Sequence, residues 1–199
     1  MKLSDSQYKH SYQATKSPYQ GVILVSNMIG KAAPEWSATV YANGEKKVMS
    51  SSELEGEWYL IYWYPLDFTF ICPTEIVGFE NLKEEFEDDG ITVIGCSTDS
   101  WYSHNAWFAD RDIFPQGITH PVLADTTHSV TRAFGMMNEA VGVGFRGTVL
   151  VDGDGNVQMY SINGMDAGRS PNEILRTCQA TQAGGLCGAD WKKGEDYVA

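Results

Sequence analysis

Trp58-Tyr59-Leu60-Ile61-Tyr62-Trp63, followed after Pro65 by Cys72-Pro73-Thr74-Glu75, is the stretch that decides the fold. The first six residues are a short apolar and aromatic run of the kind that fills a buried central strand. Pro65 stops it, because proline has no N–H to continue a ladder. Cys72-Pro73-Thr74-Glu75 reads as a helix start, with proline at or near the first helical position and an acid in the first turn. Ile76, Phe79, Leu82 and Phe86 follow at helical spacing, and Asp88-Asp89-Gly90 ends the segment, so one continuous helix is expected there.

Outward from this unit the pattern repeats. Ile91-Thr92-Val93-Ile94-Gly95-Cys96 reads as a second buried strand, Ser103 to Ala109 as a short helix and Pro121-Val122-Leu123-Ala124 as a third strand. Ser129 to Phe134 reads as another helix. Residues 148–151 and 157–160 flank Asp152-Gly153-Asp154-Gly155-Asn156, a strong hairpin signal. Ser170-Pro171-Asn172-Glu173 opens a last helix with Ser170 as its cap. Alternating strands and helices followed by a hairpin predict an α/β fold, with a central mixed sheet and helices on both faces. Residues 1–20 are polar with scattered tyrosines (Tyr8, Tyr12 and Tyr19) and read as an arm able to dock on a neighbour. The expected division is that arm, one domain over 21–180 and a tail over 181–199.

The 199-residue chain is long enough for a single packed core. Its 26 acidic against 14 basic side chains argue against nucleic acid and anionic membrane as partners, since both need a positive footprint. The first residues lack the apolar core of a signal peptide, and no run is long enough to span a bilayer, so the expected compartment is the cytosol. There, four cysteines are more often reactive, metal-binding or buried than paired in structural disulfides.

Cys72, Cys96, Cys178 and Cys187 contain no C-x-x-C pair, which disfavours a zinc site and a dithiol reductase. Cys96 ends a strand of isoleucine and valine, and Cys178 shares a helix face with Ile174 and Leu175, so both read as core residues. Cys72 differs. A thiol at a helix N-terminus meets unpaired N–H groups and the positive end of the helix dipole, which favour the nucleophilic thiolate. It also follows a buried strand at its carboxyl end, where open α/β sheets place their sites. The alternative is an inert cysteine capping the helix, in a binding or chaperone module. Cys187, among Gly184, Gly185 and Gly188, reads as an accessible thiol on a mobile tail, suited to disulfide exchange or without a role.

Pro65-Leu66-Asp67-Phe68-Thr69-Phe70-Ile71-Cys72-Pro73-Thr74-Glu75 resembles the active-site segment of the typical 2-Cys peroxiredoxins, whose P-x-x-x-[TS]-x-x-C signature is matched at Pro65, Thr69 and Cys72. Further likeness lies in Gly30-Lys31-Ala32-Ala33-Pro34, Ser103-His104-Asn105-Ala106-Trp107 and Arg146-Gly147-Thr148. Cys187-Gly188-Ala189-Asp190-Trp191-Lys192 resembles the family's resolving-cysteine segment. The branch it looks most like is the alkyl hydroperoxide reductase C component.

The resemblance implies a thioredoxin-like fold, homodimers that often assemble into decamers, and no metal or cofactor. It implies that the Cys72 thiolate attacks a peroxide oxygen and becomes a sulfenic acid. Cys187 of the partner subunit then forms an intersubunit disulfide, which thioredoxin or a flavoprotein disulfide reductase reduces. Arg146 is the cation expected beside Cys72, and Thr69 is expected to hydrogen-bond the thiolate or the peroxide. Pro65 would shape the pocket. Glu75 either orients Arg146 or simply favours the helix dipole. His104 suggests a cysteine–histidine hydrolase, but in the matched segment this histidine is structural, near Trp107 at the base of the pocket. Two departures stand out. Leu186 and Gly188 flank the resolving cysteine where the family usually has valine and proline, which leaves Cys178 as a weaker rival. The family's Gly-Gly-Leu-Gly loop is replaced by Phe114-Pro115-Gln116-Gly117-Ile118, and the chain stops twelve residues after Cys187. The expectation is a freer first helical turn and relative resistance to sulfinic acid formation.

Overall fold

The computed structural model describes residues 27–199, so the arm expected over residues 1–20 lies outside the described residues. The chain opens with β1 (Ser37–Ala42) and β2 (Glu45–Ser50), then a short 3-10 turn, then β3 (Trp58–Trp63). Two helices follow, α1 (Cys72–Asn81) and α2 (Lys83–Asp88), then β4 (Ile91–Ser97), α3 (Trp101–Phe108) and β5 (Val122–Ala124). After α4 (Ser129–Ala133) come a two-residue pair, β6 (Met137–Asn138) and β7 (Val143–Gly144), the hairpin β8 (Arg146–Val151) and β9 (Val157–Asn163), and finally α5 (Pro171–Gln182).

Seven strands form one sheet in the order β2-β1-β5-β4-β3-β8-β9. β3 runs parallel to β4 and β4 to β5, while β1 and β2 at one edge and β8 and β9 at the other add the antiparallel parts. The mixed sheet is the one expected from the alternating pattern.

Alternation along β3 divides the core in two. Leu60 and Tyr62, with Tyr64 just beyond, face Ile76, Phe79, Phe86, Trp107, Phe108 and Leu175, which α1, α2, α3 and α5 supply. Tyr59, Ile61 and Trp63 face the other way, onto Trp36, Leu54, Val130 and Phe134. Helices therefore cover both faces unequally, with the five-residue α4 alone on the second. This inequality positions the site, because α1 is held both by the sheet and by α5. At Gly78 of α1 a Cβ atom would come within 2.8 Å of Pro171 Cγ, so glycine permits the close approach of α5.

Two expectations change. The single helix from Cys72 onward is broken at Leu82 (φ −102°, ψ 7°), whose N–H turns back to Phe79 O at 3.2 Å. The break does not rotate the apolar face away, since the Phe86 ring still lies beside Phe79, centroids 6.3 Å apart, and the periodicity could not reveal it. The β1–β2 hairpin was not read from the sequence. Its turn carries Asn43 and Gly44, both at positive φ, the pair that a tight hairpin requires. β2 itself, Glu-Lys-Lys-Val-Met-Ser, is an exposed edge strand without apolar alternation.

Candidate active site

The loop between β3 and α1 carries the site, and a buried network beneath it sets its shape. Tyr64 extends β3 by one bond to Cys96 O and ends at the buried Pro65. Asp67 then turns inward. Its carboxylate accepts the Tyr64 hydroxyl at 2.8 Å and pairs with His104 Nδ1 at 2.8 Å. Its backbone N–H donates to Asp99 at 2.9 Å. Burial, and then the charge of Asp67, push the Asp99 carboxyl up. This three-sided hold supports Phe68 at φ 54°, a left-handed conformation that costs a bulky residue about 1–3 kcal/mol. His104 spends its second nitrogen on Leu123 O and makes no bond to Cys72, as a structural histidine should.

Cys72 starts α1 with 1% of its surface exposed. Arg146, at the first position of β8, points Nη1 at it. That nitrogen lies 3.6 Å from Cys72 Sγ and 2.6 Å from Glu75 Oε2, while Nε donates to Met165 O at 2.8 Å. Of the two readings of Glu75, the geometry favours the one in which it orients Arg146.

The sequence reading missed Arg169. Its Nε and backbone N–H both donate to Glu75 Oε1 at 2.8 Å, and Nη2 donates to Oε2 at 3.1 Å. Nη1 reaches Gly147 O and the Thr148 hydroxyl, and the guanidinium lies over the Tyr62 ring at 5.5 Å. One signal was available. A cation just before the Ser170 cap stands at the unfavourable end of the α5 dipole, so it needs a compensating partner. Burial raises the Glu75 carboxyl, but the bonds and charge of Arg169, with the charge of Arg146, outweigh it and hold the group below the usual range.

Two guanidinium groups thus share one carboxylate, all three with side chains 4% exposed or less. Buried charge is tolerable only when balanced. The Cys72 sulfur lies beside that surplus, 3.6 Å from Arg146 Nη1. Thr69 is half-buried, and its hydroxyl donates to Leu66 O at 2.8 Å, so its remaining capacity is as an acceptor.

The other cysteines separate cleanly. All four are free. Burial pushes the Cys96 thiol well above its ordinary value, and burial followed by the Asp89 charge pushes Cys178 up to about 12. Cys187 is half-buried, its sulfur 3.6 Å from Ala180 O of α5. The tail is docked rather than loose, which corrects the expectation of a mobile segment. Trp191 is buried and stacks on Tyr197, Arg176 donates to Trp191 O at 3.2 Å, and Lys193 pairs with Asp89. Glycines loosened the reading of this stretch, whereas one tryptophan decides it. Among the described residues no cluster of His, Cys, Asp and Glu is arranged to hold a metal ion, and no helix is long and apolar enough to cross a membrane.

Comparison with known proteins gives a consistent picture. The AhpC/TSA family model matches residues 29–160. A thioredoxin peroxidase of Echinococcus granulosus is 38% identical over 173 residues, covering 84% of this chain and 90% of that protein. Among solved structures, the reduced 2-Cys peroxiredoxin of Plasmodium vivax superposes with a TM-score of 0.81 at 33% identity, covering 85% of this chain and 92% of that one. The AhpC of Mycobacterium tuberculosis superposes with a TM-score of 0.76 at 31% identity, covering 83% and 99%.

Proposed function

The chain belongs to the AhpC/TSA family and is a thiol-dependent peroxidase of the typical 2-Cys peroxiredoxin type; from that premise we propose that Cys72 is its attacking sulfur and Cys187 of the partner subunit its resolving sulfur. The observation that carries the assignment is the Arg146 N–H aimed at Cys72 Sγ from 3.6 Å, in a pocket with a surplus of buried positive charge.

The thiolate of Cys72 attacks the terminal oxygen of a hydrogen or alkyl peroxide, the O–O bond breaks, and the leaving oxygen departs as water or alcohol after taking a proton. Arg146 stabilises charge on the sulfur and on the leaving oxygen. Thr69 accepts the peroxide O–H, which its committed hydroxyl proton leaves it free to do. Pro65 closes the pocket without presenting a competing N–H. Glu75 and Arg169 hold Arg146 in place. The Cys72 sulfenic acid then condenses with the Cys187 thiol of the partner subunit, releasing water. A dithiol, thioredoxin or a flavoprotein disulfide reductase, returns both cysteines to thiols.

A partner subunit is part of this reading. Support comes from the open edge of β9 and from Leu66, Phe68 and Phe70 on the active-site loop, where Phe70 is 93% exposed. We read the assembly as a homodimer building to a decamer, working in the reducing cytosol. The Phe114–Ile118 loop carries forward the expectation of resistance to overoxidation.

The test is peroxide consumption and non-reducing gels of wild type, Cys72→Ser and Cys187→Ser. Cys72→Ser should lose about a thousandfold or more of the peroxide rate, since nothing else in the pocket is a nucleophile. Cys187→Ser should keep the first oxidation and lose the dimer band. A band surviving in Cys187→Ser would overturn the assignment of the resolver.

A further inference from the structure

A disulfide bond is about 2.05 Å long, so a sulfur that is 1% exposed must leave its pocket before a sulfur of another subunit can reach it. The first turn of α1 therefore has to open, and this step rests on the assignment of Cys72 and Cys187 above. α1 is only ten residues long and is cut off from α2 at Leu82. Helices this short do not hold together unaided, so opening at Cys72 would run to Leu82 unless something at the far end stops it.

Glu80, in the last turn, is fastened from several sides. Its carboxylate accepts the Thr119 N–H at 3.0 Å through both oxygens, the Thr119 hydroxyl at 2.5 Å, the His120 backbone N–H at 3.3 Å and the His120 ring at 2.5 Å. Burial raises this carboxyl, but the bonds and charge of His120 and the bonds of Thr119 bring it down to about 2. Glu80 is therefore an anion, and His120 Nδ1 must be the donor. On the other side of the ring, Nε2 lies 2.7 Å from the Tyr62 hydroxyl. Burial keeps that phenol protonated. The Tyr62 hydroxyl, the His120 ring and the Glu80 carboxylate thus form one hydrogen-bonded chain, with Nδ1–H donating to Glu80. Tyr62 lies on β3 and His120 two residues before β5, so neither belongs to the moving helix. The Tyr62 ring also stacks on Phe79 at 4.0 Å and lies under Arg169, which ties this anchor to the clamp on Glu75.

We propose that Glu80, His120 and Tyr62 are positioning residues for disulfide formation, mooring the far end of α1 to the sheet so that the helix unwinds only from Cys72 and re-forms in register. None of the three hydrogen-bonds the Cys72 sulfur. They set the cost of opening, and with it the division of the Cys72 sulfenic acid between disulfide and further oxidation by a second peroxide.

The experiment compares Glu80→Ala, Glu80→Gln, Tyr62→Phe and the Glu80→Ala/Tyr62→Phe double variant in the full chain. Three quantities are read: the rate of the first Cys72 oxidation by tryptophan fluorescence, the ratio of disulfide to sulfinic acid by intact mass across peroxide concentrations, and amide exchange over residues 76–81. In wild type the 76–81 amides should be protected. Glu80→Ala should speed their exchange about tenfold and shift the ratio about threefold towards disulfide, sizes expected for losing a few buried hydrogen bonds. Tyr62→Phe keeps the stacked ring and should move both readouts less. Glu80→Gln keeps an acceptor oxygen and should recover much of the loss. The double variant should match Glu80→Ala, because the residues act as one chain. A folded Glu80→Ala or Tyr62→Phe protein with faster exchange but an unchanged ratio overturns the proposal, as does a ratio that merely follows melting temperature. If wild type forms no Cys187-dependent disulfide, the resolver assignment fails instead, and unchanged exchange over 76–81 separately overturns the mooring.

Discussion

The surroundings of Cys72 and of Cys187 are built in opposite ways. Around Cys72, Arg146, Arg169 and Glu75 are nearly excluded from solvent and linked by bonds that span three elements, α1, β8 and the loop before α5. Around Cys187 the chain is held by a single buried aromatic, Trp191, by Arg176 on its carbonyl and by the solvent-facing Lys193. One sulfur is set into the core and aimed. The other is strapped to the outside of α5 by a few contacts near the surface. In the proposed reaction a peroxide comes to the first, and both sulfurs must then leave their seats to meet, the strapped one at the lower cost.

The comparison breaks most directly if the charges at Cys72 prove interchangeable. Arg146→Met should lower kcat/KM for peroxide about a hundredfold or more, the usual loss when a group stabilising developing charge is removed. Arg169→Met leaves Glu75 with one cation, so it should destabilise the fold by about 3–5 kcal/mol in chemical denaturation and slow the reaction less. Equal rate losses with no stability loss for Arg169→Met would mean that both arginines touch the reacting atoms. Acid provides a second probe. The folded Glu75 carboxyl titrates below its unfolded value, so its contribution is complete above about pH 4.5 and disappears as pH falls through the folded value. Peroxide reactivity should therefore lose its clamp only below that point, followed by stopped-flow rates from pH 6 downwards.

A smaller effect is expected at the strap. Trp191→Ala removes the main apolar contact of the tail without touching either face of the sheet. Alkylation of Cys187 should accelerate about tenfold while the global unfolding midpoint moves little, because only a local opening is made easier. A large fall in the midpoint would show that the tail belongs to the core.

How much of this could be read from the chain depends on the range of the interaction. β3, β4 and the β8–β9 hairpin follow from runs of apolar residues and a turn whose chemistry is local. The start of α1 is equally legible, since Pro73 and Glu75 lie where a first turn needs them. The break at Leu82 is invisible because residues on both sides keep one apolar face. Thr69 and Cys72 are neighbours in sequence, and family likeness brings in Arg146. Arg169 lies 94 residues from Glu75, and no pattern announces a pairing over that distance. The docked tail was misjudged for a similar reason. Glycines describe what a backbone can do, but the Trp191 contacts with Tyr197 and Arg176 determine what it does.

The smallest effect is expected at Cys178, and it sharpens the choice of resolver. This thiol is fully buried in the same apolar cluster as Cys72, and it is the weaker rival that the sequence offers for the resolver. Burial and the Asp89 charge push it up to about 12, which leaves only a minute thiolate fraction near neutrality. Cys178→Ala should change the rate of disulfide formation less than about twofold and cost about 1 kcal/mol for the lost sulfur contacts. Cys178→Ser should cost more, since a hydroxyl replaces the thiol among apolar neighbours. Intact mass after one equivalent of peroxide should still show the crosslinked dimer in both. Loss of that species in Cys178→Ala, with the fold intact, would move the resolving role from the strap into the core and remove the contrast between the two regions.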